Sequence, residues 1–319
     1  MLEKIKAYYL AAKYLPRISY NASLPSFMRI LAFFTSQEPI NIFFRNNEKI
    51  TISRNYKFSI RKRKILIEDK ENNLVLHIFL YNYQANKYKQ NRDTFVQSLK
   101  SNNFTAPKYI IISNSSNLNV VIEELVSGVS LDLAKNDILE KFVDIFLDTI
   151  QMNTKTSDNI AKEQHTYLEL KKTYQRIKKI MGLESFFFKL YDLCDFPFEK
   201  DYGVWPVSYC HGQVFPGNII YNKQSDKYYF IDYETEDIGY GPYAYDYCFF
   251  ILYGFNYLSS DYRLKLKDIF SVDFKNYQLQ KAFLAQIIWW SRNKNLTPDQ
   301  IIKINKRSQM ALSFFNNKK

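Results

Sequence analysis

Apolar residues recur at helical spacing near both ends of the chain and at strand spacing between them. Ile5, Tyr8, Tyr9 and Ala12, then Phe27, Ile30, Leu31 and Phe34, follow the helical period, broken by Pro16 and Pro25. From Asn41 to Glu124 the period falls to two. The runs there are Ile50-Thr-Ile-Ser53, Lys64-Ile-Leu-Ile-Glu68, Leu74-Val-Leu-His-Ile-Phe79, Lys108-Tyr-Ile-Ile-Ile112 and Asn119-Val-Val-Ile-Glu-Glu124. Polar turns such as Asp69-Lys-Glu-Asn-Asn73 separate them, and one helical stretch, about Gln84 to Lys100, follows the third run. The pattern predicts a small antiparallel sheet with a helix packed on it.

After Gly128 the helical period returns. Leu139, Phe142, Val143, Phe146 and Ile150 share one face, as do Leu170, Tyr174, Ile177 and Met181. Thr297-Pro-Asp-Gln300 reads as a helix start, with an N-cap threonine, proline at the first helical position and a capping-box glutamine. Residues 208–232 depart from this pattern and read as a loop followed by a hairpin, Asn218-Ile-Ile-Tyr221 against Tyr228-Tyr-Phe-Ile-Asp232. The expected plan is α+β: a basic helical extension over residues 1–40, a sheet lobe over 41–124, and a larger helical lobe over 125–319.

Composition narrows the class. With 319 residues, 46% of them hydrophobic, the chain can bury a core and falls in the range of one two-lobed or two separate domains. Its 26 Tyr and 26 Phe exclude a disordered chain, and its eight glycines exclude a collagen. No glycine precedes Gly128, so a phosphate-binding loop in the first 127 residues has to work without one. Three cysteines without a CxxC pair argue for a reducing compartment, and three scattered histidines argue against a zinc site. No apolar run is long enough to span a membrane, and the N-terminus lacks the form of a secretory signal, so a cytoplasmic location is expected. The net charge of +12 leaves open a peripheral contact of the basic N-terminal stretch with an anionic membrane, against the alternative of a helical hairpin docked on the body. An acidic polysaccharide partner fits the same charge, whereas the basic run near residue 60 has no interleaved aromatics for nucleic acid.

The chemistry concentrates in Tyr209-Cys-His-Gly-Gln-Val-Phe-Pro-Gly-Asn-Ile-Ile-Tyr221 and Tyr229-Phe-Ile-Asp-Tyr-Glu234. Asn218 and Asp232 flank one expected hairpin, and an amide oxygen beside a carboxylate is a hard-oxygen pair suited to Mg²⁺. Period two places Asp232 and Glu234 on one face. Asp232, Glu234, Glu236, Asp237 and Asp246 give −5 over a segment with no basic residue, in a chain that is otherwise positive.

Four motifs in order resemble the aminoglycoside phosphotransferase and choline kinase-like family. They are Glu124-Leu-Val-Ser-Gly-Val-Ser-Leu131, His211-Gly-Gln-x-x-Pro-Gly-Asn218, Ile231-Asp-Tyr-Glu234 and Gly241-Pro-x-Ala-Tyr-Asp246, and the similarity spans residues 45–260. The resemblance implies a two-lobed protein-kinase-like fold with ATP and Mg²⁺ as cofactors. It implies metal ligation by Asn218 and Asp232, adenine recognition by the carbonyl of Glu123 and the N–H of Leu125 beside Glu124, and a catalytic loop braced by Asp246. His211, though in the catalytic motif, is implied to be architectural. The acceptor, a hydroxyl of a small molecule or glycan, would lie near Gln213, Glu234, Glu236 and Asp237. Tyr233, Tyr240 and Tyr243 would suit an amine or quaternary ammonium group on it, and Trp289 and Trp290 could add a wall.

Three positions depart from the family. Gln213 stands where the family has its catalytic aspartate, and an amide cannot usefully take up the acceptor's proton. General bases contribute roughly 10²–10⁴-fold, but phosphoryl transfer depends mainly on positioning and charge neutralisation. His77 stands where the third strand should present lysine to the phosphates. The turn over residues 53–62 has no glycine, although Arg54, Lys57, Arg61 and Lys62 there could hold phosphates by side-chain groups, with Arg63 and Lys64 opening the next strand. Three readings stay open: a phosphotransferase, a pseudokinase that keeps the fold and the nucleotide without turnover, and a different nucleotide-dependent transfer on the same fold.

Overall fold

The computed structural model describes residues 40–43, 49–53, 56–60, 64–79, 82–115, 118–153, 160–195, 198, 203–233, 239–271 and 279–315. The expected N-terminal helical extension lies outside them except for Ile40, which opens a strand. Two compact units are present, and the described residues of the first fall within Met1–Gln90 and Ala106–Ser127.

In the first unit, β1 (Ile40–Phe43) pairs antiparallel with β2 (Lys49–Ile52). A separate five-stranded antiparallel sheet takes β3 (Tyr56–Ile60), β4 (Lys64–Asp69) and β5 (Leu74–Phe79) in order. Helix α1 (Asn82–Leu99) follows, and its first half belongs to this unit. β6 (Phe104–Thr105) comes next in the chain and belongs to the second unit; β7 (Tyr109–Ser115) and β8 (Leu118–Glu124) return to the first sheet, whose order is β3-β4-β5-β8-β7. The inner strands are buried on both faces. Ile67, Leu76, Ile78, Val120 and Ile122 share one face, and His77, Phe79, Val121 and Glu123 share the other, where Tyr88 of α1 lies against His77 and Phe79.

The expected turn over residues 53–62 is corrected by β3. Tyr56-Lys-Phe-Ser-Ile60 pairs with β4 in a register that sets Lys57 opposite Glu68, so Lys57 faces a carboxylate across the ladder. Arg54, Arg61, Lys62 and Arg63 lie outside the described residues.

One carboxylate ties β2 to the β4–β5 turn. Asp69, fully buried, accepts from Ser53 N at 2.6 Å, Ser53 Oγ at 2.6 Å, Asn72 Nδ2 at 2.8 Å, Glu71 N at 3.1 Å and Asn72 N at 3.2 Å. Burial alone would raise its pKa; the hydrogen bonds from Ser53 and Asn72 outweigh that and hold it below the ordinary carboxylate value. A depressed carboxylate adds stability above its unfolded-state pKa, and that stability is lost as pH falls through the folded-state value. Asp69→Ala is therefore expected to lower stability by about 2–3 kcal/mol at pH 7 and by progressively less toward pH 3, as read by urea melts.

The second unit comprises Asn91–Thr105 and Gly128–Lys319. After β9 (Val129–Ser130) come α2 (Asn136–Asn153), α3 (Ile160–Lys178) and α4 (Phe186–Cys194). Next are β10 (Val207–Cys210), a single 3-10 turn over Pro216–Asn218, β11 (Ile219–Asn222), β12 (Lys227–Phe230) and β13 (Gly239–Pro242). The chain ends in α5 (Tyr245–Gly254), α6 (Ser260–Ser271), α7 (Leu279–Trp290) and α8 (Pro298–Phe315). A four-stranded sheet has the order β6-β12-β11-β9, and β10 pairs with β13 in a separate ribbon.

The core here is aromatic. Phe142 contacts Phe104, Phe146, Phe230 and Phe250 at ring-centroid distances of 4.8–6.1 Å, and Phe95 of α1 adds an edge against Phe230 at 5.1 Å. The predicted faces of α2 and α3 are the buried ones: Leu139, Phe142, Val143, Phe146 and Ile150 on the first, Leu170, Tyr174 and Ile177 on the second. At the start of α8 the expected cap forms only in half. Thr297 Oγ1 accepts from Gln300 N at 3.3 Å, but the N–H of Thr297 donates to Asn295 O at 2.8 Å, which leaves the glutamine side chain without its reciprocal bond. Cys194, Cys210 and Cys248 are free and buried. No helix among the described residues is long and apolar enough to cross a membrane.

Candidate functional site

β10 runs into the loop from His211 to Phe215, and the turn at Pro216–Asn218 then delivers the chain to β11. What shapes this loop is a carboxylate 35 residues away, Asp246, in the first turn of α5. Its Oδ2 accepts from His211 N at 2.6 Å and its Oδ1 from Gly212 N at 2.9 Å. Gly212 has φ of +87°, a backbone state open to glycine with little strain. Asp246 is buried, and burial pushes its pKa up to about 7 against the lowering effect of those two N–H donors.

His211 is fully buried among Phe95, Phe230 and Tyr233, with the Tyr233 ring centroid 4.3 Å away. Its Nε2 lies 3.1 Å from Ile231 O, which requires a proton on that nitrogen, and its Nδ1 accepts from Gln213 N at 3.4 Å. Both ring nitrogens are engaged. Through these contacts His211 holds the loop, as the motif resemblance implies for it.

Asn218 is buried, and its Nδ2 donates to Gln213 O at 3.1 Å. A carbonyl at that distance requires the NH₂ side of the amide, so the orientation is fixed and Oδ1 is left facing away. That oxygen receives no donor from the described residues. Ile231 N donates to Asn218 O at 3.0 Å and Ile219 pairs with Phe230, which sets Asp232 at the same end of the hairpin as Asn218. Asp232 has φ of +59°, a left-handed state that aspartate tolerates better than most residues. The chain therefore leaves the strand by Ile231, and the expected projection of Glu234 beside Asp232 lies outside the described residues. Glu234, Glu236 and Asp237 lie outside the described residues. The Gln213 side chain is partly exposed and makes no hydrogen bond with the described residues.

The described candidates of the first unit are engaged within that unit. His77 is buried, with Nε2 3.2 Å from Glu123 Oε2, and Tyr88 of α1 donates its hydroxyl to the same oxygen at 3.1 Å. The Tyr88 ring lies tilted against the imidazole, with centroids 4.9 Å apart. His77, standing where the family presents a lysine, is thus a buried partner of Glu123. The N–H of Leu125 donates to Asn73 O at 2.8 Å, and Glu124 meets Lys108 twice, N to Lys108 O at 2.9 Å and Oε1 from Lys108 N at 2.9 Å. The expected adenine donor at Leu125 is therefore satisfied inside its own sheet.

The aromatic residues expected around an acceptor divide. Tyr233 and Tyr243 are buried in the core. Tyr240 is exposed on one side, but the chain's own Lys162 places Nζ 3.6 Å from its ring centroid. Trp289 packs against Gly241, where an added Cβ would meet its Nε1 at 3.2 Å, and Trp290 carries the Arg307 guanidinium 3.5 Å from its ring centroid.

Asp132 was not singled out by any sequence motif. It follows β9, and β9 pairs with β11 (Ser130 with Ile220, Val129 with Tyr221), so it emerges beside the Pro216–Asn218 turn. Gly128 makes this pairing close: a Cβ there would stand 2.3 Å from Tyr221 O. Only the pairing of strands about 90 residues apart brings Asp132 here.

No family model matches the sequence, and a search of curated proteins finds no relative. Solved structures do match. A ternary complex of a thermostable mutant of aminoglycoside phosphotransferase APH(4)-Ia with ADP and hygromycin B aligns at TM-score 0.50 and 10% identity, over 83% of this chain and 95% of that one. A second such mutant, with AMP-PNP and hygromycin B, aligns at TM-score 0.50 and 11% identity over the same shares. A choline/ethanolamine kinase family protein from Mesorhizobium loti aligns at 0.48 and 10%, over 82% and 88%. The fold assignment rests on the first two: this chain has the α+β, kinase-like fold of the aminoglycoside phosphotransferases.

Proposed function

We propose that the protein is a nucleotide- and Mg²⁺-dependent phosphotransferase acting on a hydroxyl of a small molecule or glycan, with ATP as donor. The observation that carries this is the fixed amide of Asn218. Its Nδ2 is spent on Gln213 O, and its Oδ1, without a donor among the described residues, stands at the same hairpin end as the Asp232 carboxylate. Two hard oxygens so arranged fit a divalent cation that completes its shell with water and phosphate. Bound there, Mg²⁺ would neutralise phosphate charge and hold the polyphosphate in register.

The chain's own residues supply the rest. Asp246 holds the backbone of His211 and Gly212, and through them the position of Gln213. The Gln213 carboxamide can accept a hydrogen bond from the acceptor hydroxyl at Oε1 and so orient its oxygen toward phosphorus. It cannot retain the proton, which passes late in a loose transition state to a phosphoryl oxygen or to water as ADP leaves. This supports a slow enzyme. The reading without turnover draws on the same residue, and one substitution separates the two. Gln213→Asp is expected to raise the rate of transfer from γ-labelled ATP by roughly 10²-fold or more, while α-labelled ATP transfers nothing. Choline, kanamycin and hygromycin B serve as acceptor probes, with water as acceptor in the ATPase control. A variant no faster than the parent in any of these assays would remove Gln213 from the chemistry.

A further inference from the structure

We infer that Asp132 is a ligand-binding residue of this site, a carboxylate that accepts a hydrogen bond from a sugar hydroxyl of the bound ligand. The inference rests on the phosphotransferase reading and names chemistry that the reading leaves open.

Topology places the residue. In the sheet order β12-β11-β9, the start of β11 lies between the ends of the two neighbouring strands. Asn218 immediately precedes β11, Asp232 follows β12 by two residues, and Asp132 follows β9 by two residues. The N–H of Leu131 donates to Ile219 O at 2.9 Å, extending the β9–β11 ladder to the residue before Asp132. Three oxygen-bearing side chains therefore emerge at one sheet end from adjacent strands, whose usual spacing is about 4.8 Å.

Local contacts then fix the carboxylate. Ser130 Oγ donates to Asp132 Oδ1, which holds one oxygen and settles the side-chain rotamer. Oδ2 receives no donor and no cation from the described residues. It lies over the backbone of the catalytic-loop turn: a Cβ built on Gly217 would stand 3.6 Å from Asp132 Oδ2 and 3.3 Å from the Phe215 ring. A carboxylate oxygen held in place, half-buried, with no cation beside it among the described residues and next to the Asn218 turn is an acceptor open to a donor. A hydroxyl suits it, because hydrogen bonds to a charged acceptor are the stronger kind and cost no charge neutralisation.

The hydroxyl could come from the ribose of the nucleotide or from a polyol acceptor, and binding measurements on the full chain distinguish them. ADP, 2′,3′-dideoxy-ADP (each with Mg²⁺) and kanamycin would be titrated calorimetrically into the parent, Asp132→Ala and Asp132→Asn. With ribose as the source, the parent binds ADP roughly 10-fold or more tighter than the dideoxy analogue, as expected for a hydrogen bond to a charged group. Asp132→Ala then binds both nucleotides at the weaker level, and Asp132→Asn, which keeps one acceptor oxygen, falls between. With the acceptor as the source, the nucleotides bind the parent and the variants alike while kanamycin binding drops in Asp132→Ala. Equal binding of all three probes to parent and Asp132→Ala would overturn the inference and leave the phosphotransferase reading intact. A parent that binds neither nucleotide would instead remove the reading itself.

Discussion

Asp246→Ala is expected to cost about 3–5 kcal/mol of folding free energy, the largest loss foreseen for a polar substitution in this chain. The carboxylate is the acceptor for the N–H groups of both His211 and Gly212. Each buried donor left without a partner costs roughly 1–3 kcal/mol, and the vacated volume adds to that. Thermal melting should fall by about 10 °C, at roughly 2–4 °C per kcal/mol for a domain of this size. Asp246→Asn should fall between, since its Oδ1 can serve one N–H while its NH₂ faces the other. The pH dependence has a definite sign. A carboxyl whose folded-state pKa is raised to about 7 contributes stability that is full below its unfolded-state value near 4. That stability is lost as pH rises through 7, because the folded protein then has to bury the charge. Asp246→Asn cannot ionise, so the gap between parent and variant should narrow from pH 5 to pH 8. A gap that widened over that range would show that the N–H donors outweigh burial.

Asp232→Ala is expected to abolish the thermal stabilisation by ADP and Mg²⁺ while lowering the melting temperature of the free protein by only a few degrees, the cost of alanine in a left-handed backbone state. A ligand at 100 times its dissociation constant stabilises by about 2.7 kcal/mol, which amounts to several degrees in melting temperature. Asp232 is only partly buried and sits just past the end of β12, so its loss removes little packing. Asn218→Ala should give the same ligand phenotype but with a lower baseline, because Asn218 Nδ2 also supports Gln213 O. EDTA should erase the shift in the parent. A full shift in Asp232→Ala would end the assignment of Asp232 as a metal ligand.

The elements most legible in the sequence are those whose pattern and packing agree. β4, β5 and β8 are rich in apolar, β-branched residues and occupy the interior of the first sheet, and the apolar stripes of α2 and α3 face the core. β3 was hidden because Tyr56-Lys-Phe-Ser-Ile60 stands among basic residues that read as a solvated turn, although its alternation is intact and Glu68 answers Lys57 across the ladder. At the site, motif order was legible and geometry was not. That His77 would be spent on Glu123, 46 positions away, depends on the β5–β8 register, which no local pattern specifies. The left-handed turn at Asp232 breaks a strand pattern that the sequence continues without interruption to Glu234. Asp132 carries no motif at all and becomes visible only once β9 is seen beside β11.

The three cysteines have a consequence beyond the core they fill. All are inaccessible, and burial raises each thiol's pKa, so the nucleophilic thiolate is scarce in the folded protein. An oxidant or an alkylating probe meets them only after the second unit has opened. Chemical change at sulfur is then a record of unfolding rather than its cause.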